Sequence, residues 1–230
     1  MKDRSRQIPR ICAMAVALYL IVLTAVAQSY PSPYPRKNAT EVLQNDRVNV
    51  WDVVWPKGQP TAMHEHTFDQ FSITLRGGTV RMTRLGETPD EHDSKVGSVL
   101  FTPKGMIHME EGMSDVPQHK VMLELKPSAA TDGVHGTAPG EGAIKVFEND
   151  RLIAWDFTWK PGEIASRQAE NLDSVTVFLG GGTIRSIADG GKPKDTARSP
   201  GEVVYSAHST SAHSEEAVIG SPRAIIVELK

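Results

Sequence analysis

Cysteine is almost missing from this chain: Cys12 is the only one among 230 residues. No disulfide can form within it, and no thiol chemistry remains if the first residues are removed. A strong charge excess is absent too. The net charge is −3, and nothing in it marks a nucleic-acid surface. Beyond the first 27 residues there is no second long apolar run and no sustained helical period, which argues against a helical fold.

The chain opens with a basic segment, Lys2, Arg4, Arg6 and Arg10, followed by the apolar run Ile11 to Val26. Ala25-Val26-Ala27 then supplies small residues before Gln28. The run is short for a spanning helix and ends in a cleavage pattern, so residues 1–27 read as a signal peptide rather than an anchor. Cys12 leaves with it. A cysteine-free exported chain is expected in a bacterial periplasm or outside the cell.

The remainder repeats itself without gaps. Asn45-Asp46-Arg47 to Trp55 returns as Asn149-Asp150-Arg151 to Trp159, Gly97 as Gly201, and Val121 to Lys126 as Ile225 to Lys230, each 104 residues on. That period suits a duplicated domain rather than a solenoid unit. The expected organisation is an N-terminal arm at 28–42, a first domain at 43–126, a Gly/Pro/Ala/Thr-rich linker at 127–142 and a second domain at 143–230. Within each half, short β-branched runs are bounded by turn residues: Val48–Val54, Gln70–Leu75, Thr79–Arg84, Val99–Thr102 and Val121–Leu125. They predict an all-β domain of jelly-roll or barrel topology. In Phe71, Ile73 and Leu75, and again in Val175, Val177 and Leu179, one strand face is apolar in both repeats. The two halves are expected to pack together through these faces.

The chemistry-bearing residues lie in two pieces of the first half. His64 and His66 are one residue apart, which puts both on one face of an extended strand. His108 lies in a separate segment punctuated by Gly97, Pro103 and Gly105. Three converging imidazoles would hold a divalent iron, manganese, zinc, nickel or copper ion with positions left for water or substrate.

The spacing of Gly58, His64, His66, Gly77, Gly97, Pro103, Gly105 and His108 resembles the two sequence motifs of the cupin family. The resemblance implies two tandem cupin-type jelly-roll barrels, a bicupin, with one metal ion held by His64, His66 and His108. The chain departs from the family pattern at Gln70, usually glutamate and often a fourth ligand, and at Gly112, usually asparagine. Gln70 shares parity with the two histidines and serves either as a weak neutral ligand or as a hydrogen-bond partner of metal-bound water. In the second half, the constant offset pairs His64 with Gln168, His66 with Glu170 and His108 with Ala212, so the second metal site reads as lost. His208 and His213 could rebuild a site with Glu170 but read first as loop histidines, and Asp69, Arg81, Glu111 and Glu124, which recur as Asp173, Arg185, Glu215 and Glu228, read as framework. Glu110 and Glu111 are the carboxylates near His108. Arg76, which does not recur, could face the cavity by phase and hold a substrate carboxylate.

The resulting functional expectation is a secreted, metal-dependent enzyme of dioxygenase type acting on a small molecule. The alternative is a non-catalytic ligand-binding module. No nucleic acid and, after cleavage, no membrane is expected as a partner. Self-association into a homodimer is open, and no catalytic residue is assigned.

Overall fold

The structure is a computed structural model that describes residues 29–128, 135–167, 171–188, 190–209 and 211–230. The signal-peptide reading of 1–27 and the positions Gln168 and Glu170 lie outside the described residues. Among the described residues every regular element is a strand, and no helix is long and apolar enough to cross a membrane.

The first half forms β1 (Ala39–Gln44), β2 (Val48–Trp55), β3 (His64–Glu65), β4 (Asp69–Arg76), β5 (Gly78–Arg84), β6 (Asp90–Ser94), β7 (Val99–Thr102), β8 (Ile107–Gly112) and β9 (Gln118–Leu125). They make two antiparallel sheets, in the orders β1-β2-β9-β4-β7 and β3-β8-β5-β6. The second half forms β10 (Ile144–Glu148), β11 (Leu152–Thr158), β12 (Ile164–Arg167), β13 (Asp173–Ala188), β14 (Lys194–Arg198), β15 (Val203–Ser206) and β16 (His213–Leu229). Here the order is β10-β11-β16-β13-β14, with β12 added to β16 and β15 to β13. The long strands β13 and β16 run without a break through what β4–β5 and β8–β9 build as separate strands.

Alternation along the strands gives each sheet two destinies. On β4, Phe71 and Ile73 are fully buried in a cluster that also holds Val48, Val50, Val121 and Leu123 of the first half, and Leu152, Val175, Val177, Ile225 and Val227 of the second. Leu75 and Leu179 pack against its edge. The apolar faces read from the sequence therefore meet each other. The opposite face of β4, carrying Gln70, Ser72 and Thr74, is also buried but turns into the interior of the first half. The corresponding interior of the second half is an apolar cluster of Phe157, Trp159, Phe178, Ile184, Ala224 and Ile226.

The repeated Asn-Asp-Arg triplets explain themselves as a reciprocal clasp. Asn45 Oδ1 accepts the backbone N–H of Arg47 and Val48, as Asn149 Oδ1 does for Arg151 and Leu152. Arg151 reaches across to Asp69 at 2.5 Å and donates to the carbonyls of Leu125 and Lys126. Arg47 faces Asp173 at 3.5 Å and donates to the carbonyls of Leu229 and Lys230. Asp69 and Asp173 are thus framework, as their recurrence implies.

Two glycines matter for the site. Gly105 has φ +83°, left-handed backbone that any side chain would strain; it carries the turn into β8. At Gly112, a Cβ would stand 2.5 Å from the Trp55 carbonyl oxygen and 2.7 Å from that of Pro56. The close approach of β8 to the end of β2 leaves no room for the asparagine expected there by family resemblance.

Candidate metal centre

His64, His66 and His108 arrive from two stretches that pair across the smaller sheet. His64 faces His108 directly in the β3–β8 register. His66, just past β3, is held by backbone hydrogen bonds from its own N–H to Met106 and from Gly105 N–H to its carbonyl, at 3.0 and 2.8 Å. The turn at Gly105 is what brings the third imidazole over the first two. The rings are 3%, 2% and 2% exposed, with centroids 4.7–5.3 Å apart. One ring nitrogen from each lies within 4.8 Å of the others. Among the described residues this is the only such group of His, Cys, Asp or Glu.

The electrostatics favour bases over acids. Burial, and then the charges that His108 and His64 would carry, push the His66 imidazole down to about 3. Burial likewise lowers His64 and His108. All three are therefore neutral at pH 7, the form in which imidazole ligates a metal. Ala62 O accepts a hydrogen bond from His64 Nδ1 at 2.9 Å, which fixes that proton and leaves Nε2 as a lone pair. His66 Nε2 and His108 Nε2 stand 2.9 Å apart. Two tetrahedral nitrogen ligands at about 2.0–2.1 Å from zinc stand roughly 3.3 Å apart, so these imidazoles need only a slight opening. The donor set fits a divalent ion.

Gln70 lies on β4, 3% exposed, and its Oε1 is buried without a hydrogen-bond partner. A buried amide oxygen without a donor is costly, and a cation or an ordered water would satisfy it.

Glu110 and Glu111 separate by strand parity. Glu111 points outward to Arg81, 3.5 Å away, and Arg81 also binds Glu91. Glu110 shares the interior face with His108. Its side chain is 13% exposed, accepts a hydrogen bond from Trp55 Nε1 at 3.2 Å, and faces Arg36 at 3.9 Å. Burial opposes its ionisation, but nearby positive groups, led by His108 and then Arg36 and Lys120, outweigh this and hold its carboxyl below the usual range. Arg36 belongs to the N-terminal arm. The arm is tied down by Tyr34 stacking on Trp51 at 4.7 Å, Arg36 over the Trp55 ring at 5.1 Å, and Pro31 O accepting Glu65 N–H at 2.9 Å. Arm residues thus border the site, which nothing in the sequence pattern indicated.

Two sequence expectations are corrected. Arg76 does not face the cavity. A register irregularity between Thr74 and Arg76 turns it out, and its exposed Nε donates to Pro117 O at 2.7 Å. The counterpart of His108 is not Ala212 but His213. Ala188 and Arg167 pair with His213 as Arg84 and His64 pair with His108. The second half carries one extra residue before β16, so Glu215 and Glu216 take the roles of Glu110 and Glu111: Trp159 donates to Glu215 and Arg185 binds Glu216. His213 Nε2 lies 3.6 Å from Glu215. His208, 70% exposed, bonds Asp173 through Nδ1 and its N–H and stands apart from His213, as expected of a loop histidine.

No family model and no curated protein matches this sequence. Solved structures do match its fold. AerE from Microcystis aeruginosa superposes with TM-score 0.63 at 11% identity, covering 88% of this chain and 99% of that one. A cupin 2 conserved barrel domain protein from Leptotrichia buccalis gives 0.52 at 13% identity, covering 84% and 88%. Oxalate decarboxylase from Bacillus subtilis gives 0.57 at 12% identity, covering 80% of this chain and 68% of that one. A variant of salicylate 1,2-dioxygenase from Pseudoaminobacter salicylatoxidans gives 0.56 at 13% identity, covering 80% and 71%. These identities carry the architecture alone: the chain is all-β and shares the jelly-roll fold of cupin proteins.

Proposed function

We propose that this chain is an exported bicupin that binds one divalent metal in its first barrel and acts as a metal-dependent enzyme, dioxygenase-like, on a small molecule. The observation that carries the reading is the convergence of three buried, neutral imidazoles on the interior face of the first half. His64, His66 and His108 hold the ion, and Gln70 Oε1 is the fourth protein donor. A bound iron, manganese, copper, nickel or zinc ion would supply Lewis acidity and, for the redox-active metals, electron transfer. The chain's own residues fix the ligands. Ala62 O sets the His64 tautomer, the Gly105 turn places His66 against His108, and Trp55 and Arg36 hold Glu110 beside them. That two of the structural neighbours are named as a decarboxylase and a dioxygenase is consistent with this reading.

A second reading, a non-catalytic ligand-binding barrel, is favoured by one observation. Glu110, the carboxylate on the histidine face, is engaged by Trp55 and Arg36 and is a poor general base while so held. Metal analysis of the native protein, with oxygen uptake against a panel of small organic acids, separates the two. One iron, copper or manganese per chain and turnover support the enzyme. Zinc, or tight ligand binding without turnover, supports the module. His64→Ala should abolish metal binding while the chain stays folded, and unchanged metal content in that variant would refute the site. Export is part of the proposal: N-terminal sequencing of the exported protein should begin at Gln28.

A further inference from the structure

The two halves fill equivalent interior positions with opposite chemistry. In the second half, Phe178 faces Ala224 across the β13–β16 ladder. Both are buried with Trp159 in an apolar cluster, and the Phe178 ring lies 5.8 Å from Trp159. In the first half the same two ladder positions hold Thr74 and Lys120, beside Trp55 in place of Trp159. Truncating phenylalanine to threonine leaves room. Ser72, Thr74, Val80, Met82, Ser94, Ser98, Glu110 and Lys120 are among the residues that line a cavity of about 210 Å³ there. The second half shows that this fold closes well without a lysine at that position.

Lys120 is a cation on that cavity whose charge acts on Glu110 without a direct ion pair. Its Nζ sits 5.8 Å from the centre of the Trp55 ring. Among the described residues it has neither a hydrogen-bond nor an ion-pair partner. The other charges are already spoken for. Glu110 faces Arg36 and takes the Trp55 N–H. Arg84 pairs with Asp90 and Glu87, and His92 with Asp90. Asp93 accepts the Thr79 hydroxyl at the exposed edge. Ser94 Oγ accepts from Gln118 Nε2 at 2.6 Å, so its own proton is free to donate. Burial lowers the Lys120 pKa, opposed by the charge of Glu110. Removing a cation from water is costly, and a fold that has an apolar alternative in its own second repeat retains this partly buried lysine here.

We propose that this cavity binds a small organic carboxylate, with Lys120 and the hydroxyl of Ser94 on its charged end and Val80 and Met82 against its apolar body. The assignment rests on the reading of the first half as the ligand-binding barrel and names its substrate class. Glu110 lies both on this cavity and on the strand face of His108, so it stands between a ligand held at Lys120 and the histidine cluster, whose rings do not themselves line the cavity.

The test uses the full mature chain, with benzoate and acetate as probes, and benzamide and acetamide as neutral controls. Binding is read by calorimetry and by Trp55-linked fluorescence, and metal content is measured alongside. Wild type should bind at least one carboxylate about tenfold more tightly than its amide. Lys120→Met should lose that preference, with metal content and thermal stability kept, and Lys120→Arg should retain it. The double change Thr74→Phe with Lys120→Ala installs the pair of the second repeat and should abolish binding in a folded, metal-loaded protein. Equal affinity for carboxylate and amide, no binding of either carboxylate, or carboxylate binding by Lys120→Met as tight as wild type would each overturn the proposal. Carboxylate binding that persists in metal-free His64→Ala but not in Lys120→Met would uphold it while counting against a role for the metal in holding the ligand.

Discussion

Replacing Phe71 with alanine tests the joint between the halves and separates it from the metal site. The side chain is fully buried, and its ring lies 5.3 Å from Phe147 of β10. Truncating a buried phenylalanine costs about 3–5 kcal/mol, including the cavity left behind, and the lost aromatic pair lies within that range. For a chain of this size each kcal/mol lowers the melting temperature by about 2–4 °C, so Phe71→Ala should melt roughly 6–20 °C lower. In urea the midpoint should fall with the slope unchanged, since the same surface is exposed on unfolding. Metal content should stay at the wild-type value, because Phe71 points away from the face that carries Gln70 and Ser72. A midpoint shift equivalent to less than about 1 kcal/mol would mean that the apolar faces of the two halves are not packed together. Loss of metal in step with stability would mean that the joint and the site are one unit.

The remaining predictions concern pH, the clasp and the separated half. In the metal-free protein the unfolded His66 titrates near 6.5 and the folded one near 3. The unfolded state binds its proton first, so this contribution is complete above pH 6.5 and is lost as pH falls toward 3, by up to roughly 5 kcal/mol. Urea midpoints at pH 7, 5 and 4 should fall more steeply for wild type than for His66→Leu, and parallel slopes would refute the shift. Arg151→Ala removes the Asp69 ion pair and two carbonyl contacts, all partly buried. It should cost about 1–3 kcal/mol, and Arg151→Lys should recover little of this because a lysine lacks the forked donors. A fragment of residues 28–127 should self-associate or aggregate through the uncovered Phe71 and Ile73 face. A monomeric fragment of undiminished stability in sedimentation and melting would contradict the packing seen here.

Strand alternation, turn glycines and the repeat were enough to read an all-β chain with two halves and a three-histidine cluster, because these are local signals. A side chain's face follows from parity, and a left-handed turn demands glycine wherever it occurs. Parity also placed the Phe71–Ile73 and Val175–Val177 faces correctly, since neither strand is irregular there. It misled at Arg76, where an irregularity after Thr74 reverses the face. It misled again at Ala212, where one added residue before β16 moves His213 into the place of His108. That shift is undone by Ala224, which faces Phe178 as Lys120 faces Thr74, so an ungapped comparison passes over it.

What the sequence by itself determined is the strand content, the duplication and the identity of the three clustered imidazoles, all properties of a residue and its near neighbours. Only the tertiary structure decided which carboxylate faces inward, what the repeated Asn-Asp-Arg triplets hold, that the N-terminal arm reaches Glu110, and that Lys120 lines a cavity beside Trp55 and Glu110. Each of these depends on bulges and on contacts between segments far apart in the chain, and pairing across a ladder is set by the whole fold rather than by any local run of residues.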